Sequence, residues 1–248
     1  MSGHSKWATI KHKKGAADAK RGQMFTKLIK EISIAAKLGG GDQDTNPRLR
    51  TAILKAKGAN MPKDNIDRAI KKGTGELEGV SYEEILYEAY GPGGVAMLIE
   101  ILTDNKNRAA AEIRNLLNKG GGNLGTAGSV KHLFKRKGLI TFDASKYKED
   151  DILTAALDAG AEDVATYGEQ IEVSTSTEDF YKVDKALETA GFARTSAELA
   201  QVADSTVTLD HDKTQKALKL VEHLEDHEDV QSVATNLEIP DGFEMTEE

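Results

Sequence analysis

The apolar positions of this chain change period several times, and the changes outline its elements. From Ala19 to Leu38, Met24, Phe25, Leu28, Ile29, Ile32, Ala35 and Ala36 recur at three- and four-residue spacing, which predicts an amphipathic helix. Gly39-Gly40-Gly41 stops it. Asn46 before Pro47 predicts an N-cap with proline at the first helical position. The helix that follows presents Leu49, Ile53 and Leu54 and ends at Gly58. Pro62 opens a third, with Ile66, Ala69 and Ile70 on one face and Gly73 as its stop. These short helices predict a small helical domain behind a first stretch of twenty residues that shows no sustained period and reads as an extended or partly helical arm.

After a Gly/Glu linker the texture becomes strand-like. Tyr82 to Tyr90 and Val95 to Leu102 flank the turn Gly91-Pro92-Gly93-Gly94. A helix is predicted from Asn105 to Lys119, then a glycine-rich loop, Gly120 to Gly128, and a strand at Val130 to Phe134. Next come a strand (Leu139–Phe142), a helix (Asp150–Ala159), two strands (Asp163–Thr166, Gln170–Ser174), a helix (Glu178–Ala190) and a strand (Ala193–Ala200). That β-α-β-β-α-β order is the ferredoxin-like arrangement. A last helix (Lys213–Leu224) and strand (Val230–Leu237) lack partners of their own and are assigned to the 81–137 region, completing a second α+β layer. The Glu162-Asp163-Val164 and Glu228-Asp229-Val230 pair, each after a helix, is a weak internal echo of that assignment.

Charge adds what periodicity cannot. The 248 residues have a net charge of −8, but residues 1–80 hold 17 Lys+Arg against 8 Asp+Glu, and residues 139–248 hold 8 against 27. Within 105–138 the count is 8 against 1. Such asymmetry predicts a basic binding surface with an acidic body behind it, drawing a polyanion to one end and repelling it from the other. There is no cysteine, which excludes disulfides, thiolate zinc sites and cysteine nucleophiles and suits a reducing cytosol. No apolar run approaches the roughly 18 residues of a membrane span, and Met1 to Lys20 has no apolar core, so no secretory signal is expected.

The candidate chemistry follows the cations. Residues 1–30 hold eight Lys+Arg against the single acid Asp18, and the arm offers Lys6, Lys11, Lys13, Lys14, Lys20 and Arg21 with Trp7, the only tryptophan. Cations that neutralise phosphates gain affinity by counterion release. Trp7 either stacks on a base or anchors in a core, the commoner use of tryptophan. A second patch comprises Lys106, Arg108, Arg114, Lys119, Lys131, Lys135, Arg136 and Lys137 around Gly120–Gly128. Those glycines either bring backbone amides to a phosphate or only cap a helix and supply positive φ. Gly120, Gly122 and Gly125 spell G-x-G-x-x-G, but after a helix and before a strand, the reverse of a dinucleotide site, and no Lys-Ser/Thr pair makes a Walker A loop. His223 and His227, four apart on the predicted last helix, have a zinc-compatible spacing but acidic neighbours and no third ligand. No catalytic constellation stands out.

The segments GHSKWATIKHKKGAADAKRGQMFTKLIKEI, NPRLRTAILKAKGANMPKDNIDRAIKKGTG, YEAYGPGGVAMLIEILTDNKNR and GGNLGTAGSVKHLFKRKG closely resemble the YebC family. These are bacterial proteins related to the mitochondrial translational activator of cytochrome c oxidase. The resemblance implies an α+β protein of three domains, a small three-helix one and two ferredoxin-like α+β ones around a cleft. It implies a cytoplasmic, DNA-binding transcriptional regulator, with some members linked instead to the ribosome and the relief of stalling. Carried onto this chain are the basic arm, Arg48 and Arg50 of Asn-Pro-Arg-Leu-Arg, Lys63 of Asn-Met-Pro-Lys-Asp, Thr103-Asp104-Asn105 with Arg108, and the Gly120–Ser129 loop. Lys106 stands where arginine is also common.

The expected division is an arm (1–20), a helical domain (21–78), a discontinuous α+β domain (79–137 with 206–240), a ferredoxin-like domain (138–205) and a tail (241–248). The expected function is non-enzymatic regulation of gene expression through nucleic acid, either DNA or ribosomal RNA. Neither a helix-turn-helix nor an RNA-recognition motif is visible, so backbone and shape recognition is expected. An enzyme on a phosphorylated substrate and an acidic protein-interaction scaffold are the competing classes. No cofactor, metal, membrane or small-molecule substrate is implied, and the residues fix no oligomeric state.

Overall fold

The computed structural model describes Trp7, residues 17–240 and residues 242–246, with side chains from residue 21 onward apart from Trp7. Its first helix, α1 (Ala17–Gly39), is followed by α2 (Pro47–Gly58) and α3 (Lys63–Thr74). Asn46 stitches α1 to α2. Its Oδ1 accepts from the Leu49 amide at 3.1 Å, and its Nδ2 donates to the Ala35 and Gly40 carbonyls, both at 2.8 Å. Gly39 leaves room for it, since a Cβ there would stand 2.6 Å from Asn46 Nδ2. At the far end of α2, Asn60 takes a left-handed φ of 57°. The Asn60 amide donates to Lys57 and the Met61 amide to Ala56, each at 2.9 Å, a Schellman closure with Met61 turned into the core. The bundle has an apolar core of its own around Ile32, Leu49, Ile53, Met61 and Ile66.

Strand β1 (Glu83–Tyr90) and β2 (Ala96–Thr103) form an antiparallel hairpin in register from Glu83↔Thr103 to Tyr90↔Ala96. Helix α4 (Lys106–Lys119) is capped by the Asn105 side chain, which accepts from the Arg108 amide at 3.1 Å. The short β3 (Asn123–Leu124) joins the outer edge of β1. On the other edge, β9 (Val230–Thr235), which follows helix α7 (His211–Glu225), lies beside β2, giving the order β3-β1-β2-β9. Two segments more than a hundred residues apart therefore share one sheet.

The second sheet is contiguous in sequence: β4 (Phe134–Asp143), α5 (Glu149–Ala159), β5 (Asp163–Tyr167), β6 (Gln170–Thr175), α6 (Phe180–Thr189) and β7 (Ser196–Ala203). Its order β5-β6-β4-β7, with every pair antiparallel, is that of a ferredoxin-like layer. Ile140, Phe142, Ile171 and Val173 pack against Ile152, Phe180, Val183 and Leu187 of the two helices. The strands expected at Val130–Phe134 and Leu139–Phe142 are instead one strand of ten residues, preceded by a single 3-10 turn at Lys131–Leu133. The polar run Lys135-Arg136-Lys137 hides the period, and Gly138 carries the strand past Phe180, whose ring would lie 2.4 Å from a Cβ there. A small parallel pair, β8 (Val207–Thr208) with β10 (Leu237–Glu238), completes the described elements.

By backbone proximity the chain forms two compact units. One comprises Gly15–Ala127 with Gln215–Val233, and the other includes Gly128–Thr214 with Ala234–Glu248. Among the described residues no helix is long and apolar enough to cross a membrane.

Candidate nucleic-acid interface

Of the arm residues, Lys6, Lys11, Lys13 and Lys14 lie outside the described residues, as does the Lys20 side chain. Trp7 is buried, with 8% of its surface exposed, which matches the anchoring alternative for that residue. Arg21 is exposed, its guanidinium 5.7 Å from the Phe25 ring centre.

Three of the arginines singled out by sequence are engaged inside the bundle-and-sheet unit. Arg48 makes a two-pronged contact with Glu31, Nε–Oε1 2.7 Å and Nη2–Oε2 2.9 Å, and a third with Glu84 at 2.5 Å. Burial works against its charge, but the two carboxylates outweigh it and hold the guanidinium above its ordinary pKa. Arg50 donates to the Gln43 and Asp44 carbonyls at 2.9 and 2.6 Å, closing the turn before α2. Arg108 donates to Asp229 at 3.0 Å and Asp104 at 2.8 Å, and these bonds, Asp229 first, raise its pKa.

Other cations face solvent. Lys63 opens α3, Arg114 and Lys119 lie along α4, and Arg136 projects from β4; all are exposed and have no carboxylate partner among the described residues. Lys57, Lys71 and Lys72, absent from the residues chosen by sequence, share that state in the last turns of α2 and α3. On β4, Lys135 pairs with Asp204 at 2.9 Å and Lys137 with Glu162 at 3.1 Å. Strand alternation sends Arg136 to the opposite face. Lys131 is exposed on the 3-10 turn.

The glycine loop has the geometry of a connector. A Cβ on Gly120 would lie 2.6 Å from Leu220, and one on Gly122 would lie 2.5 Å from the Tyr90 carbonyl oxygen. Gly121 and Gly128 have φ of 77° and 85°. Four of its amides are hydrogen-bonded within the fold: those of Gly120, Gly121, Gly122 and Gly125 donate to the Leu116, Asn118, Leu117 and Glu88 carbonyls.

His223 and His227 do not share a helix, because α7 ends at Glu225 and His227 sits in the turn beyond it. His227 Nδ1 accepts from the Asp229 amide at 3.1 Å, leaving the proton on Nε2, which donates to Glu112 at 2.9 Å. Ligand atoms of Glu112, His227 and Asp229 lie within 4.8 Å of one another. Each is already hydrogen-bonded, and Lys30 and Arg108 supply the local positive charge, so this cluster reads as an ion-pair network. It is also the feature sequence reasoning missed. Lys30 was indistinguishable from the other cations of residues 1–30, and Asp229 stood out only as part of an echo.

Comparison with known proteins decides the family. A model of the TACO1/YebC protein N-terminal domain matches residues 5–76, and one of the TACO1/YebC second and third domain matches residues 82–237. The chain belongs to the TACO1/YebC family. A relative from Treponema denticola is 65% identical over 247 residues, covering 100% of both chains. One from Syntrophobacter fumaroxidans is 57% identical, covering 97% of each. Both are named probable transcriptional regulatory protein. The crystal structure of a conserved hypothetical protein from Aquifex aeolicus is similar, with a TM-score of 0.87, 48% identity, and coverage of 95% of this chain and 98% of that one. In this TACO1/YebC chain the residues Asn46, Arg48, Asn105 and Arg108, all within the segments that carry the resemblance, cap helices or join elements.

Proposed function

We propose that this protein is a non-catalytic, cytoplasmic regulator of gene expression that binds nucleic acid through its arm and the exposed cations of its helical region. The observation carrying this reading is charge segregation. The first 80 residues hold a net charge of +9, and Lys57, Lys63, Lys71, Lys72, Arg114 and Lys119 stand exposed without carboxylate partners among the described residues. The paired arginines Arg48 and Arg108 orient the surface, and the exposed lysines supply its charge. Such cations contact phosphates and read no bases, so recognition rests on backbone and shape. The names of the curated relatives support a regulator.

The test pairs two measurements: displacement of a bound promoter duplex by random duplex, and sedimentation of cell extract on a sucrose gradient. Random duplex should compete about as well as the promoter. A promoter preferred by about three orders of magnitude or more would defeat backbone recognition. Co-migration with ribosomes without a specific DNA shift would replace DNA by ribosomal RNA as the target. Absence of binding to either polyanion would sink the proposal.

A further inference from the structure

The three-helix bundle and the first sheet lie in one compact unit, yet the bundle's core is drawn entirely from residues of α1, α2, α3 and the turn before α3. Ionic and polar contacts, among them Arg48 with Glu84, join bundle to sheet beside the buried Ile34. Lys27, Lys30, Ile34 and Lys37 form one stripe along α1; Lys27 and Lys30 reach the α+β part and Lys37 the segment leading into it. Lys27 donates to the Glu225 carbonyl, and Lys37 to Ser81 Oγ at 2.8 Å. Lys30 is only 6% exposed and donates to the Glu228 carbonyl at 3.0 Å and Asp229 Oδ1 at 2.5 Å. Asp229 is fully buried, and its other oxygen accepts from Thr103 at 2.9 Å and Arg108 at 3.0 Å. Burial raises the Asp229 pKa, but hydrogen bonds from Lys30, Arg108 and Thr103 outweigh it and keep the carboxylate ionised. The Asp229 carbonyl also accepts from the Leu102 amide at 2.8 Å, fixing the turn to β2.

We propose that Asp229 closes an ionic latch, with Lys30 on the bundle side and Thr103 and Arg108 on the sheet side, and that the bundle separates from the sheet as an intact body when the latch breaks. A buried ion pair is a poor source of net stability, because desolvation offsets most of its attraction. Its use is specificity: one arrangement satisfies every group, and a shifted one strands a buried charge. On separation Lys30 and Asp229 regain hydration, and the bundle keeps its own core. Residues 75–82, starting with Gly75 at φ 83°, are the tether. The latch also removes Lys27 and Lys30 from the cations able to meet a polyanion, independently of what the protein binds.

Hydrogen–deuterium exchange and small-angle scattering on the full chain test this with Asp229→Asn and Lys30→Met. Asp229→Asn strands two cations; Lys30→Met removes only the bundle's half and leaves Asp229 paired with Arg108. Scattering reports the opening directly, and exchange reports whether the bundle stays folded. The maximum dimension should grow, while segments around Ile32, Leu49 and Ile66 keep wild-type protection. If Asp229→Asn yields no folded protein, Lys30→Met decides. A wild-type maximum dimension for Lys30→Met overturns the latch, and so does loss of bundle-core protection in that variant.

Discussion

The ferredoxin-like layer meets its helices, and the three-helix bundle meets the first sheet, through different kinds of contact. The ferredoxin-like layer runs without interruption from Phe134 to Ala203, and an apolar cluster including Ile140, Phe142, Val173 and Phe180 joins its sheet to its helices. The other layer borrows β9 from the far end of the sequence, and the bundle beside it is tied on through Lys30, Asp229 and Arg108. A contiguous unit can rely on non-directional burial, because short connections already restrict its arrangements. At the bundle junction, directional contacts through Asp229 select one arrangement among many. Charge does not divide the two layers but the two ends of the chain: residues 1–80, ahead of both sheets, carry +9, and residues 139–248, which include α7 and β9, carry −19.

The largest expected effect tests the charge contrast. Replacing Lys6, Lys11, Lys13 and Lys14 together by alanine should lower the log-salt slope of nucleic-acid binding by about three to four units and affinity by about a hundredfold. Trp7 is retained in this variant because it is buried, so melting should stay near wild type. Titrating binding against salt checks it; an unchanged slope removes the arm from the interface.

On the acidic side, Glu172 lies on β6 between the core residues Ile171 and Val173, facing away from that core. Burial lifts its pKa to about 7 from 4.5. A raised carboxyl pKa means the folded state holds its proton more tightly than the unfolded one. That stability is fully present below about 4.5 and is lost as pH rises through about 7. Glu172→Gln should therefore be more stable than wild type above pH 7, by on the order of 2–3 kcal/mol, and the gain should vanish near pH 4. Chemical denaturation at both pH values decides; a gain independent of pH would exclude ionisation as its cause.

Gly122→Val probes the seam of the discontinuous layer, since its Cβ would press on the Tyr90 carbonyl at 2.5 Å. Destabilisation of about 1–3 kcal/mol, with binding intact once folded, is the expected result. Lost binding at an unchanged melting temperature would restore the loop as a phosphate site. The smallest effect belongs to Lys135/Arg136/Lys137→Ala. Two of its three cations already pair with Asp204 and Glu162, so affinity should fall only about threefold to tenfold. A loss as large as that of the arm variant would place β4 at the centre of the interface.

Much of this was legible in the residues. Glycine and proline punctuation marked α1, α2 and α3, and Asn46 and Asn105 stood where N-caps are required. The β-α-β-β-α-β order of the acidic part was readable because each of its elements carries its own period. The single strand β4 was not, because Lys135-Arg136-Lys137 interrupts the apolar alternation and only Gly138 against Phe180 shows why the chain continues straight. Lys57, Lys71 and Lys72 went unchosen because exposure without a partner cannot be read from sequence.

By itself, then, the sequence determined the elements, the α+β class and the segregation of charge, since periodicity, capping and composition are local properties. Only the tertiary structure decided which cations are available. Lys30 and Lys63 look alike in the chain, yet one is sealed against Asp229 and the other meets water, because the carboxylate that separates them is 199 residues from Lys30. A contact at that sequence distance depends on how the chain folds back, and no local pattern encodes it.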